Sequence, residues 1–329
     1  MSYPKPLSAK SLEKMYRQAG LSEKVRAYLH GFFAACANLY GAIALKNAWF
    51  VYQAQKGAPK LSRKDLLAFS SIARREEQLY YVYEIEELFE DEQHNELYRH
   101  IISKELIFKG LGKFNLLYRL LEHFSGKSLY IPENILAFAE RTPSAEETAL
   151  LGFLSDLTSE TEECAPKLGD SIPNINKGRK LGQFSFLNAS ERYHLGITKL
   201  PAEKAAFLER CSGSEAEKLV RLFKFRDNVG WISFGDTCKY IVEELDEVGV
   251  IMDLAKFEEL MRLIVSLHNN SHLWRLAGWI PGELAKLYSS SGPPTIAFGP
   301  GMQKAFADGA LDKADFLRSI RERGLDVLE

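Results

Sequence analysis

The apolar positions of the chain fall into helical stripes separated by turn residues. From Leu21 to Leu39, residues Val25, Leu29, Phe32, Phe33 and Cys36 recur at three- and four-residue spacing, with Ser22 placed to cap the helix. Asn38, Tyr40 and Gly41 end it. Ile43 to Gln55 repeats the pattern through Ala44, Trp49, Phe50 and Val51, and Gly57 and Pro59 close it. Ser62 caps a third helix over 63–75, with Leu66, Leu67, Phe69 and Ile72 inward. The character then changes. Leu79 to Tyr83 is aromatic and β-branched, and Tyr98 to Ile102 reads as its return strand. Three helices followed by a β-hairpin predict a winged-helix-like unit.

Leu106 to Phe124 carries a further helical face, and an extended link at Gly126–Pro132 leads into short helices over 133–140 and 143–154. Between Thr161 and Ser190, Pro166, Gly169, Pro173, Asn174, Asn176, Gly178 and Gly182 break every period. Helical spacing resumes over 201–287, in segments joined by short links, as in a bundle. The pattern thus predicts a mainly α protein. A winged-helix-like domain with a small β-hairpin (1–125) precedes a helical segment (126–160), an irregular connection (161–200) and a helical bundle (201–288). A linker and tail helix (289–329) follow, with the helix over 312–323 stopping at Gly324.

One stretch organises the C-terminal half. A helix opening at Asp253 meets a polar break at Asn269-Asn270-Ser271. Trp274, Gly278 and Trp279 follow, and Pro281 restarts a helix. Two indoles beside a glycine and a helix-starting proline predict a packed corner. Trp274, Gly278, Trp279 and Pro281 are therefore read as structural.

Composition limits the functional classes. With 46% hydrophobic and 26% charged residues the chain is globular, and no apolar run is long enough to span a membrane. The first residues lack a signal-peptide core, and the four cysteines (36, 164, 211, 238) form no CxxC pair. Reduced thiols and a cytoplasmic location are expected. Net charge is only −2, but it is unevenly spread. Met1 to Arg75 holds thirteen Lys or Arg against Glu13, Glu23 and Asp65, while Glu76 to Glu96 holds nine acids and no Lys or Arg.

Several chemical patterns are present only in part. His268 and His272 stand four apart, as zinc ligands on a helix do, but Asn269 occupies the place of the general-base glutamate. Capping and packing account for the pair. Ser125-Gly126-Lys127-Ser128 has the ending of a phosphate-binding loop, yet Leu121 stands where the first glycine belongs and no strand precedes it. Gly110 and Gly112 lack the third glycine of a dinucleotide fingerprint. The acids Glu84, Glu86, Glu87, Glu90, Asp91, Glu92 and Glu96 show no cation-loop pattern. No GxSxG is present, and Cys36 and Cys238 lie in apolar helical contexts. No catalytic residue, metal or cofactor is predicted.

What remains is the basic third helix. Arg63, Lys64, Arg74 and Arg75, with Lys56 and Lys60 ahead of them, are placed to meet phosphates, and Ser70 or Ser71 to reach a base edge. The ordinary account of such charges is a solvated face, and the acidic stretch beside them would repel a duplex. Lys177-Gly178-Arg179-Lys180 is a second, smaller cluster.

Two stretches resemble a group of bacterial helical proteins that often end in a SEC-C zinc motif. One is Gly126–Pro132 leading into Glu133–Leu154. The other runs from Asn270 through Trp274, Gly278 and Ile280-Pro281-Gly282-Glu283-Leu284. The sequence has Ile280 where that group favours threonine, and it has no cysteine after Leu287, so zinc binding is not implied. The resemblance implies a fold rather than an activity. The expected function is a non-enzymatic regulatory binding protein acting through protein or nucleic-acid contacts. The alternative is an enzyme whose site forms between the N- and C-terminal units, marked by His194 or His268 near a carboxylate.

Overall fold

The computed structural model describes residues 3–89, 94–107, 114–124, 127–159, 213–230, 233–247, 252–290, 295–297 and 326–328. The expected connection over 161–200, the helix over 201–210 and the tail helix over 312–323 lie outside them, as do His194, Cys164 and Cys211. The described protein is mainly helical, with a small three-stranded antiparallel sheet.

The N-terminal helices begin where side chains satisfy the first free N–H groups. Ser8 caps α1 (Ala9–Gln18), Ser22 caps α2 (Glu23–Tyr40), and Ser62 with Asp65 forms a reciprocal capping box on α4 (Arg63–Ala73). Between α2 and α3 (Leu45–Gln53) the chain does not stay helical, contrary to the reading of Ile43 as part of a helix. Residues Ala42–Ala44 form β1, which pairs antiparallel with β3 (His100–Ser103) in the register Ala42↔Ile102 and Ala44↔His100. Three residues are too short for a visible alternation, and their strand identity is set by the partner backbone. β2 (Tyr80–Tyr83) is the expected first strand of the hairpin, and β3 is its return strand, with Val82 opposite Ile101. The order across the sheet is β1-β3-β2.

A short α5 (Ile85–Leu88) follows β2. Helices α6 (Asn115–Phe124) and α7 (Ala145–Ser159) precede α8 (Glu215–Val229), α9 (Phe234–Glu247) and α10 (Leu254–Asn270). Two hydrophobic cores result. One gathers Phe32, Phe33, Leu45, Leu66, Phe69 and Val82 around α2. The other gathers Leu117, Leu120, Leu154, Phe223, Leu245, Ile264 and Trp274. Both belong to one compact unit, Met1–Trp279. The second unit, Ile280–Glu329, contains α11 (Pro281–Ser290) and a parallel pair, β4 (Thr295–Ala297) with β5 (Asp326–Leu328).

The corner at Trp274 forms as its residues predict. α10 starts at the Asp253 cap and stops at Asn270, which leaves His272 off the helix that carries His268. Ala277 and Gly278 both take positive φ (54° and 85°), reversing the chain so that Leu273 N–H donates to Trp279 O (3.1 Å). The Trp274 indole is 3% exposed, donates from Nε1 to Asn38 O (2.8 Å) and lies over Gly41. Trp279 is only half-buried, donates to Ser128 O (3.0 Å) and packs edge-on against Tyr130.

The two indoles should therefore differ in energetic weight. Trp274→Ala opens a cavity between the two cores and should cost ~3–5 kcal/mol in denaturant melts. Trp279→Ala, at the rim, should cost less than half of that. Equal losses at the two positions would refute the assignment of Trp274 to the core.

Candidate functional site

The outer face of α4 is where the sequence placed function. At 100° per residue, Arg63, Lys64, Leu67, Ser71 and Arg74 share that face, and all five are exposed or half-buried while Leu66, Phe69, Ile72 and Ala73 are buried. The face is divided in its chemistry. At its N-terminal end Lys56, Lys60, Arg63 and Lys64 are all exposed, and none makes an ion pair with the described residues. The nearest acid, Asp65, is occupied by the Ser62 cap, whose hydrogen bonds hold its pKa below the usual value.

The C-terminal half of the face is covered. Arg99, 4% exposed at the start of β3, sends Nη1 to Leu67 O (3.2 Å), Ser70 Oγ (3.0 Å) and Ser71 Oγ (2.7 Å), and Nε to Glu84 (2.6 Å). Arg74 binds the other oxygen of Glu84 (2.6 Å) and both oxygens of Glu87 (2.7 and 2.6 Å). Two guanidiniums and two carboxylates thus pair at low exposure, which is the condition for a buried ionic group to persist, and Arg74 Nε is left without a hydrogen bond among the described residues. Of the four basic residues singled out in the sequence, Arg63, Lys64 and Arg75 are exposed, and Arg74 is not available to a phosphate. Nor can Ser70 reach a base edge: it is fully buried and donates to Leu67 O (2.8 Å), as Ser71 also does (3.0 Å).

Glu84, Glu86 and His94 bring three metal-type donor atoms within 4.8 Å. Both Glu84 oxygens are already held by arginines at 2.6 Å, so a cation would have to displace a guanidinium to enter. Glu86 instead pairs with His94 Nδ1 (2.7 Å) and raises the imidazole pKa. The remaining acids of this stretch, Glu90 to Glu92, lie outside the described residues.

A second polar node sets His268 beside a carboxylate, as the alternative reading of the sequence required, although Asp227 itself was not singled out. Asp227, 4% exposed on α8, accepts from His268 Nδ1 (2.8 Å) and Arg275 Nη2 (3.0 Å), while its backbone carbonyl accepts from Arg275 Nε (2.8 Å). Asn228 Oδ1 accepts from Trp274 N–H (3.4 Å), and the Phe234 ring lies 4.0 Å from His268. One signal was available: Asp227 stands four residues after the buried Phe223, on the inward side of its helix. His272 Nδ1 donates to a different group, Gly278 O (2.6 Å), between Tyr130 and Phe138, so the two histidines do not converge. Lys127, of the partial phosphate-loop pattern, donates to Arg275 O (2.8 Å). The thiols of Cys36 and Cys238 are buried, and burial pushes the latter's pKa up to about 11, far from a nucleophile's range.

No family model, no curated protein and no solved structure matches the chain.

The buried histidine beside Arg99 sets a pH limit. His100 Nδ1 faces Tyr98 O (2.8 Å), and burial pushes its pKa down to about 4. The folded protein holds it neutral, whereas the unfolded chain protonates near 6.5. Stability should therefore be intact above 6.5 and fall by roughly 3 kcal/mol as pH drops from 6.5 to about 4. His100→Gln should flatten that part of the profile in denaturant melts run at several pH values.

Proposed function

We propose that this is a non-enzymatic, regulatory binding protein whose N-terminal part is a winged helix with a basic contact surface. The order helix, strand, helix, helix, hairpin supports the winged-helix reading, with β1 added beside the return strand β3. In that reading α4 is the recognition helix, and residues 84–89 and 94–99 belong to the wing. Two buried free thiols fit the proposed cytosolic setting.

The observation that carries the reading is the contrast in charge pairing. Arg74 and Arg99 are consumed by carboxylates of the wing, while Lys56, Lys60, Arg63 and Lys64 stand exposed and without ion pairs among the described residues. Desolvated charges that satisfy each other serve the fold. Unpaired cations crowded into nine residues repel one another, and an anionic partner relieves that repulsion.

A second reading is an enzyme, favoured by one observation: Asp227 holds His268 through Nδ1 and leaves Nε2 as the imidazole nitrogen for chemistry. That pair lies between α8 and α10. On this reading Nε2 should react with diethyl pyrocarbonate as an open imidazole does. Protection of His268 equal to that of buried His100 would remove the reading.

The binding proposal predicts retention on an immobilised polyanion at low salt. Replacing Lys56, Lys60, Arg63 and Lys64 with glutamine should lower the slope of log K against log salt by up to ~3–4. Arg74→Gln should leave that slope unchanged and cost stability instead, of the order of 3 kcal/mol, because it strips Glu84 and Glu87 of a buried partner.

A further inference from the structure

We propose that the exposed N-terminal end of α4, with Lys56 and Lys60 ahead of it, docks an acidic segment of a protein partner rather than a nucleic-acid duplex. The inference rests on the binding reading above and names the partner's chemistry. A recognition helix that reads a duplex lays several turns into a groove and presents polar side chains to base edges along its length. α4 offers only its first turn. Beyond Lys64, Leu67 O and Ser71 are met by the Arg99 guanidinium, Ser70 is buried, and Arg74 is bound to Glu84 and Glu87. No described side chain of the outer face past the first turn is left to read a base until Arg75, at the far end.

The surroundings also select by sign. Glu84 and Glu87 are neutralised by arginines, but Glu96 keeps 49% of its side chain exposed beside Arg99, and Glu86 is shared only with the exposed His94. A duplex lying along α4 would carry its second row of phosphates towards these acids, against like charge. A single extended acidic chain need not. It can meet Lys56, Lys60, Arg63 and Lys64 and leave the wing untouched. Ser62 and Asp65 already close the α4 N-terminus on themselves, so the contact is made by side-chain charge and not by the helix end.

The test uses the full chain with poly-L-glutamate and a short DNA duplex as probes, followed by fluorescence anisotropy at low salt. Tighter binding of poly-L-glutamate than of duplex is expected. At least about tenfold loss is expected in the Lys56→Gln/Lys60→Gln/Arg63→Gln/Lys64→Gln variant, whose melt should be unchanged because the four side chains make no ion pairs with the described residues. Tighter binding of the duplex, lost in the same variant, would overturn the acidic-protein assignment and keep the binding surface. Binding of neither probe by the parent chain, or equal binding by parent and variant, would overturn the surface itself.

Discussion

The structure depends on a contact with no room for a side chain. Gly41 ends α2 with φ at 70°, and its carbonyl accepts from Ser103 N–H (2.7 Å) at the edge of the sheet. A Cβ there would stand 2.6 Å from the Trp274 ring and 2.9 Å from Leu120. Only glycine can hold that backbone conformation and admit the indole. The contact is therefore where the core around α2 and the core of the C-terminal helices are fastened. Gly278 makes a similar approach to Tyr40, whose hydroxyl donates to Tyr130 O (2.6 Å). The extended link before the single 3-10 turn at Ile135–Phe138 is thus held from both sides.

That fastening has a consequence for function. With the cores packed together, the polar groups that remain inside must satisfy one another. Several do so in shared sets: Arg74 and Arg99 with Glu84 and Glu87, and Asp227 with His268 and Arg275. Tyr16, His30, Glu76 and Tyr80 make another set beneath α1, where burial is the main cause of the raised tyrosine pKa values. Each set orders several elements at once. The exposed cations at the start of α4, Lys56, Lys60, Arg63 and Lys64, belong to none of these sets.

Much of this was legible in the residues. Serine caps, helical spacing and the aromatic hairpin gave α2, α4, β2 and β3 close to where they lie, and the Asn-Asn-Ser break, Gly278 and the two tryptophans described the corner. These are local instructions, written within one or two turns of chain. The basic and acidic blocks were also plain as counts, but a count does not say which charges pair. Arg74 and Arg75 are neighbours in sequence and opposite in fate, one sealed against Glu84 and Glu87 and the other exposed.

The sequence by itself determined α2, α4 and α10 with their caps Ser22, Ser62 and Asp253, and the aromatic hairpin. Tertiary structure alone decided that Ala42–Ala44 is a strand, that Ser70 and Ser71 serve Arg99, and that Asp227 binds His268 across forty-one positions. The reason is physical. A cap or an apolar stripe is satisfied by neighbours a few residues away, whereas a sheet partner or a counter-ion can come from anywhere, and only the folded backbone brings it within a hydrogen bond's length.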